Sequence, residues 1–298
     1  MCVKSRLLLV DGHAYAYRAF YAIRSLRSPG GRATNAIYGF VKMLARMREL
    51  VKPTHLAVVW DGGLSAERLQ LIPAYKAQRP EMPDDLSEQL GEISSYLGAA
   101  GVGSLQAHGV EADDWIARLA LAGVGAGASV VIASADKDFF QLVCDGIGLL
   151  NPNDKSETIW AAAEVKAKTG VEPAQIVDWL SLVGDAVDNI PGVPGVGSKT
   201  AASLLGQFGS VDALYGRLGE VPQDRLRTVL SESREVVRLN QQMIRLRADL
   251  APDHDLDGLK VGSPDEVRLL ELSRGWGFKS MTAELQARAI GSQQMLGV

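Results

Sequence analysis

Three apolar stretches of this chain run into an aspartate: RLLLV into Asp11, HLAVVW into Asp61, and SVVIA, by way of Ser134 and Ala135, into Asp136. Asp138 follows two residues later. Glu111, Asp113 and Asp114 stand together in EADD, and Asp185 and Asp188 in GDAVDN. Carboxylates in such number are hard oxygen ligands, suited to Mg²⁺ or Mn²⁺; zinc prefers thiolate and imidazole. Those softer ligands are scarce, for there are only Cys2 and Cys144, and His13, His55, His108 and His254 have no ligand spacing. Each acid also has an ordinary use. An aspartate after a strand caps a turn or helix, acids in a first helical turn complement the helix dipole, and Asp185 and Asp188 could simply solvate a loop. Coincidence of place favours chemistry. In an open α/β sheet, ligands sit beyond the carboxyl ends of the strands, and three separate strands send an acid there. Glu111 and Asp114, three apart, share one helix face.

Those acids need a scaffold. Arg6–Val10, His55–Trp60 and Ser129–Ala133 read as buried strands, and Gly146–Asn151 as an added edge strand. Apolar spacing predicts helices over 33–51, 85–99 and 111–122. Alternating strands and helices imply an α/β fold, a parallel sheet with helices on both faces. From about Glu172 the pattern is helical only, with helices over 174–183, 198–206 and 223–247 and a frayed tail from Gly291. Arg234, Arg238 and Arg245 share a face of the last helix, either solvated or touching duplex phosphate.

Between the first two of these helices lies GVPGVGSK, Gly192 to Lys199. It does not make a P-loop, because Ser198 stands where that motif needs lysine and a helix precedes it. A glycine-rich hairpin followed by a helix N-terminus can hold a phosphate on bare backbone N–H groups; a plain interhelical turn is the alternative.

Composition sets outer bounds. The 298 residues are 47% hydrophobic and 22% charged, an ordinary globular balance. No apolar run is long enough for a membrane span, and Met1 to Val10 is too short for a signal peptide. The scarcity of cysteine fits a reducing cytoplasm. A net charge of −4 looks wrong for a nucleic-acid partner until the nine acids above are set aside, when the remainder becomes +5 and suits a phosphate backbone.

Six stretches, in this order, carry a resemblance: LLLVDGHAYAYRAF (7–20), AIYGF (36–40), AYKAQRPEMPDDL (74–86), EADD (111–114), SADKDFFQLV (134–143) and GDAVDNIPGVPGVGSKTA (184–201). With them the chain resembles the 5′ nuclease family: the N-terminal domain of bacterial DNA polymerase I, phage 5′ exonucleases and flap endonucleases. GFKSMTAEL (277–285) is similar to the end of the polymerase I nuclease domain, so the resemblance covers nearly the whole chain. It implies a PIN-like nuclease core over 1–170 with a helical arch at about 65–99, a helix-hairpin-helix module over 171–290 and a tail over 291–298. It also implies structure-specific hydrolysis of DNA by two metal ions. Asp11, Asp61, Glu111, Asp113 and Asp114 would hold the first, and Asp136, Asp138, Asp185 and Asp188 hold or support the second. Lys76 and Arg79 match basic residues of the arch. Tyr17, Arg18 and Arg68 would touch DNA, and Gly192, Gly195, Gly197 and Lys199 the duplex. A K⁺ on the carbonyls of Leu182, Val183, Pro191, Val193 and Val196 is implied as well. Trp60, often Phe in such chains, and Ala186-Val187 are the small departures. The expected partner is DNA with 5′ ends, flaps or forks, with a DNA polymerase acting in trans, and the expected state is a monomer, standalone or excised from a polymerase. The rival readings are a DNA binder with vestigial acids and a PIN-fold ribonuclease; the latter are usually much shorter and lack the hairpin module.

Overall fold

A short aliphatic run buried on both faces becomes an interior strand of a parallel sheet. RLLLVD is such a run, with every residue after Arg6 buried. The computed structural model, which describes residues 5–249 and 254–296, forms a six-stranded sheet. Its strands are β1 (Arg6–Asp11), β2 (His55–Trp60), β3 (Gly103–Gln106), β4 (Ser129–Ala133), β5 (Ile147–Leu150) and β6 (Ile159–Trp160). Their order is β3-β2-β1-β4-β5-β6, parallel except for β6. The expected edge strand, β5, is therefore interior, covered by β6. Neither β3 nor β6 was legible, since GSLQ and IW are too short to show a pattern. Leu8 pairs with Leu56 on one side and Val131 on the other, so the strand order reverses direction between β1 and β4. The crevice beyond that reversal is where α/β sheets bind ligands, and Asp11 ends on it.

Six helices, α1 (Gly12–Ala22), α2 (Asn35–Val51), α3 (Ala66–Leu71), α4 (Asp84–Ala99), α5 (Ala112–Gly125) and α6 (Ala162–Thr169), connect and follow the strands. Then come α7 (Ile176–Val183), α8 (Ser198–Phe208), α9 (Val211–Gly216), α10 (Asp224–Glu232), α11 (Arg234–Ile244), α12 (Glu266–Trp276) and α13 (Lys279–Leu296). One sheet face, through Leu8, Val10 and Leu56, packs on Phe40 and Leu44 of α2 and on Ile93 and Leu97 of α4. The other, through Leu7, Leu9 and Val59, packs on Ile116 of α5, and the same core continues through Phe139 into Ile176 of α7 and Leu205 of α8. The helical half thus shares a core with the sheet.

Four expectations change. Residues 84–99 are a core helix rather than part of an arch, because Leu86, Ile93 and Leu97 fall on one buried side. The helix expected over 223–247 breaks at Ser233 (φ −90, ψ 2). The break turns Arg234 onto Tyr215, whose carbonyl it meets at 3.1 Å and whose ring it covers at 4.8 Å; Arg245 lies past the end of α11. Residues 291–296 continue α13 instead of fraying, with no proline to stop them. Finally, α12 and α13 do not join the helical module. Leu269, Leu272, Trp276 and Leu285 pack into the core on the α2/α4 face. Among the described residues no helix is long and apolar enough to cross a membrane.

The loops after β2 and β3 are laced together at Gly62. Its N–H donates to Val110 O (2.9 Å) and its carbonyl accepts from Gly109 N–H (2.8 Å). A Cβ at Gly62 would sit 1.7 Å from the Ala107 carbonyl oxygen, whereas one at Gly109 meets open space and only an unfavourable φ of +75°. Gly109→Ala should thus lose roughly 1–2 kcal/mol. Gly62→Ala should lose more, in urea unfolding, because backbone must move. Equal losses would show that the lacing does not constrain the loops that deliver Asp61 and Glu111.

Candidate metal centre

Each strand-end aspartate does two things at once. Asp11 caps α1, its Oδ1 accepting from Ala14 N–H (3.0 Å), while Oδ2 accepts from Ser134 Oγ–H (2.9 Å). Asp61 Oδ1 accepts from Ala112 N–H (2.9 Å). Asp136 Oδ1 accepts from Asp138 N–H (2.9 Å). Capping does not take these residues out of the cleft: one carboxylate oxygen of each is held by backbone, and the residue still faces a shared space. That cleft, about 370 Å³, is lined by Asp11, His13, Ala14, Tyr17, Asp61, Lys76, Arg79, Met82, Asp113 and Asp136.

Crowding shows in the proton affinities. Burial, then Asp61 and Asp136, push Asp11 up from 3.8 to about 6, against the Ala14 amide and Ser134. Burial, followed by Asp136, raises Asp113 well above the usual carboxylate range, Lys76 offsetting only part of it. Asp136 is also raised, by burial and then by Asp188 and Asp185. Asp61 goes the other way: burial would raise it, but His13, the Ala112 amide and Lys76 together hold it low. His13 Nδ1 accepts from Asp61 N–H at 3.1 Å and lies 3.4 Å from its carboxylate. Sequence reading passed over His13; its place two residues after Asp11 was the available signal.

A second acidic group lies beside the first. Asp138 is pushed well up by burial and then by Asp136, Asp188 and Asp185, and its Oδ1 is buried with no hydrogen-bond partner. Asp185 faces Lys137 (3.2 Å) and Asp188 faces Arg79 (2.7 Å). Among the described residues, no three acidic, histidine or cysteine side chains converge tightly enough to enclose a bare ion. Asp11, Asp61, Asp113 and Asp136 line the walls of the cleft instead.

Glu111 and Asp114 stand apart from this. Glu111 Oε1 accepts from Ser65 N–H and Arg68 Nη1 (both 3.1 Å), and Oε2 from Tyr75 Oη–H (3.0 Å) and Lys76 Nζ (2.5 Å). Burial alone would raise Glu111, yet Lys76 and Arg68 hold it low. Asp114 is gripped by Arg68 at 2.7 and 2.9 Å. The expectations that Glu111 and Asp114 hold an ion and that Arg68 touches DNA change: all three are buried, and Arg68 pairs with both acids. Lys76 is buried too, with a left-handed φ of 55°, its N–H donating to Asp188 O (3.2 Å). Arg18 is turned from the cleft to Asn153 (2.5 Å).

At the hairpin, Gly192 has no room for a Cβ, which would lie 2.0 Å from Val183 O; Gly195 has φ +79°, and Gly197 precedes α8 in open space. Lys199 is exposed in the first turn of α8. Of the five expected carbonyls, Leu182 accepts from Val193 N–H, Val193 from Val196 N–H and Pro191 from Asn240 Nδ2. Arg238 pairs with Glu235 (3.3 Å).

Family models described as "5'-3' exonuclease, N-terminal resolvase-like domain" and "5'-3' exonuclease, C-terminal SAM fold" match residues 6–170 and 171–267. The chain is 40% identical over 290 residues to a DNA polymerase I of Pseudomonas aeruginosa, covering 95% of this chain and 32% of the relative. It is 36% identical to a 5′-3′ exonuclease of Aquifex aeolicus, covering 94% of each. The chain thus spans about a third of the polymerase's length. In fold it matches the bacteriophage T5 flap endonuclease, solved in a complex with DNA and metal ions, with a TM-score of 0.68 at 20% identity over 95% of this chain and 98% of that one.

The raised acids predict a pH response of the metal-free protein. A carboxyl that binds its proton more tightly when folded contributes stability below its unfolded value of 3.8, and that contribution is lost as pH rises through the folded value, about 6 for Asp11. For Asp11 alone the loss is on the order of 3 kcal/mol. Asp61 and Glu111, being lowered, act oppositely but are outnumbered by Asp11, Asp113, Asp136 and Asp138. The melting temperature in EDTA should fall between pH 4.5 and 7, Mg²⁺ should flatten that fall, and Asp113→Asn should melt higher than wild type at pH 7 without metal. A wild type indifferent to both pH and Mg²⁺ would disprove the shared repulsion.

Proposed function

Because this chain belongs to the 5′-3′ exonuclease family, we propose that it is a structure-specific 5′ nuclease. It hydrolyses DNA phosphodiesters with two divalent ions, Mg²⁺ or Mn²⁺, as 5′-3′ exonuclease and 5′-flap endonuclease in primer or flap removal and repair. The observation that carries this reading is one cleft in which Asp11, Asp61, Asp113 and Asp136, brought by four separate chain segments, face Lys76 and Arg79. The orphaned Asp138 Oδ1 supports a cation, since an acceptor buried without a donor otherwise only destabilises.

On this reading Asp11, Asp61, Asp113 and Asp136 hold one ion, and Asp138, Asp185 and Asp188 hold or support the other. The ions, when bound, lower the pKa of an attacking water and stabilise the leaving oxygen. Lys76, fixed by Glu111, presents its ammonium to the scissile phosphate. Arg79, less buried and paired with Asp188, clamps a neighbouring phosphate. Tyr17, at the rim, stacks on an unpaired base. Gly195, Gly197 and the N-terminal turn of α8 with Lys199 take duplex phosphate. The carbonyls of Val183 and Val196, with second lone pairs of Leu182, Pro191 and Val193, are the candidates for a K⁺. Residues 1–170, together with Asp185 and Asp188, carry the chemistry, and the helices from 171 through α11 carry duplex binding. The protein acts as a cytoplasmic monomer beside a DNA polymerase.

A labelled 5′-flap duplex tests this, with Mg²⁺ and with EDTA. Expected are 5′-phosphate products only with metal, and near-total loss of cleavage in Asp136→Asn with flap affinity in EDTA retained. Metal-independent cleavage, or wild-type rates in the variant, would refute it. Lys76→Ala should raise the single-turnover barrier by roughly 2–4 kcal/mol with little change in affinity. Gly195→Val should weaken duplex binding while sparing the rate at saturation.

A further inference from the structure

The buried Arg68 has five N–H groups and five acceptors. Nε donates to Met243 O (3.1 Å), Nη1 to Glu111 Oε1 (3.1 Å) and Asp114 Oδ2 (2.7 Å), and Nη2 to Asp114 Oδ1 (2.9 Å) and Arg245 O (3.3 Å). Asp114 Oδ1 also accepts from Arg247 N–H at 2.7 Å. So the guanidinium fork joins the segment leaving α11 to Glu111, and Glu111 holds the Lys76 ammonium. One turn before Met243, α11 also reaches the hairpin: Asn240 Nδ2 donates to Ser181 O (2.9 Å) and Pro191 O (2.6 Å). A lysine cannot reproduce this, having three donors at one point instead of a planar fork.

We infer that Arg68 is a positioning residue for cleavage: with Asp114 it forms a strut that sets Glu111, and through it the Lys76 ammonium, relative to the helices that carry the hairpin. The inference rests on the nuclease reading for its kinetic consequence but not for its geometry. A strut that acts only through Lys76 has no further effect once the Lys76 amine is gone. A residue that merely stabilises the fold slows the reaction equally in both backgrounds.

The experiment is a double-mutant cycle of Arg68→Lys and Lys76→Ala. Single-turnover cleavage of a 5′-flap duplex in Mg²⁺ is measured, with flap affinity in EDTA alongside. Arg68→Lys alone should slow cleavage by about tenfold or more at near-unchanged affinity, and by less than about threefold in the Lys76→Ala background. Multiplicative losses, or no loss in Arg68→Lys, overturn the strut. A second arm needs no cleavage. Acetic anhydride labelling, read by mass spectrometry, should find Lys76 protected in wild type and modified several-fold faster in Arg68→Lys, with exposed Lys199 as the internal standard. Unchanged protection overturns the proposal. Should Arg68→Lys fail to fold, Asp114→Asn takes its place in both arms. A wild type that cleaves no flap DNA in Mg²⁺ or Mn²⁺ would instead remove the nuclease reading, and the labelling arm would still decide the strut.

Discussion

Like charge held close at the carboxyl ends of a parallel sheet is the constraint around which this molecule is arranged. Asp11, buried, and Asp113, Asp136 and Asp138, half-buried, are crowded together at a net cost in ionisation, and the described cations near them are placed singly. Lys76 stands between Glu111 and Asp188, Lys137 faces Asp185, and Arg79 faces Asp188. Asp138 Oδ1 has no hydrogen-bond donor. A fold selected for stability alone would exchange some of these acids for amides or add cations. Their persistence is the stability–function conflict expected where charge must be supplied by a ligand.

The sheet tolerates the arrangement because each acid is also a local structural part. Asp11 caps α1, Asp136 caps the turn after β4, and Asp61 receives the first amide of α5. One oxygen per carboxylate is thus fixed by backbone, which holds the residue against its neighbours' repulsion. Orientation comes from short-range capping, and convergence comes from the strand order.

That division explains what was legible in the sequence. Strand-end acids could be read because a strand end and a capping residue are both local signals, whereas the strand order that reverses at β1/β4 is set by pairing between distant segments. The i, i+3 relation of Glu111 and Asp114 was also local and correct, but it put both on the face turned to Arg68, while Asp113 between them faces the cleft. Which face looks where depends on Arg68, 43 and 46 positions away in sequence, and on the Met243 carbonyl 175 away. No periodicity encodes such contacts. The apolar spacing of Leu86, Ile93 and Leu97 did signal a buried helix; assigning it to an arch let resemblance override burial. The break at Ser233 left no local mark in the apolar spacing, and its visible consequence, Arg234 on Tyr215, joins positions 19 apart.

Lys76 shows how much the site leans on those long contacts. A side chain with a Cβ in the left-handed region costs about 1–2 kcal/mol, and nothing in AYKAQR favours it. The conformation is held from outside by Asp188 O on the Lys76 amide, by Glu111 on its ammonium, and by Asn189, itself at φ 58°, whose Nδ2 donates to Ala74 O at 2.9 Å. Two of these three holds come from the loop after α7 and the third from the start of α5. The position of the Lys76 ammonium, buried at the cleft wall, is therefore a property of the sheet and the helical half together.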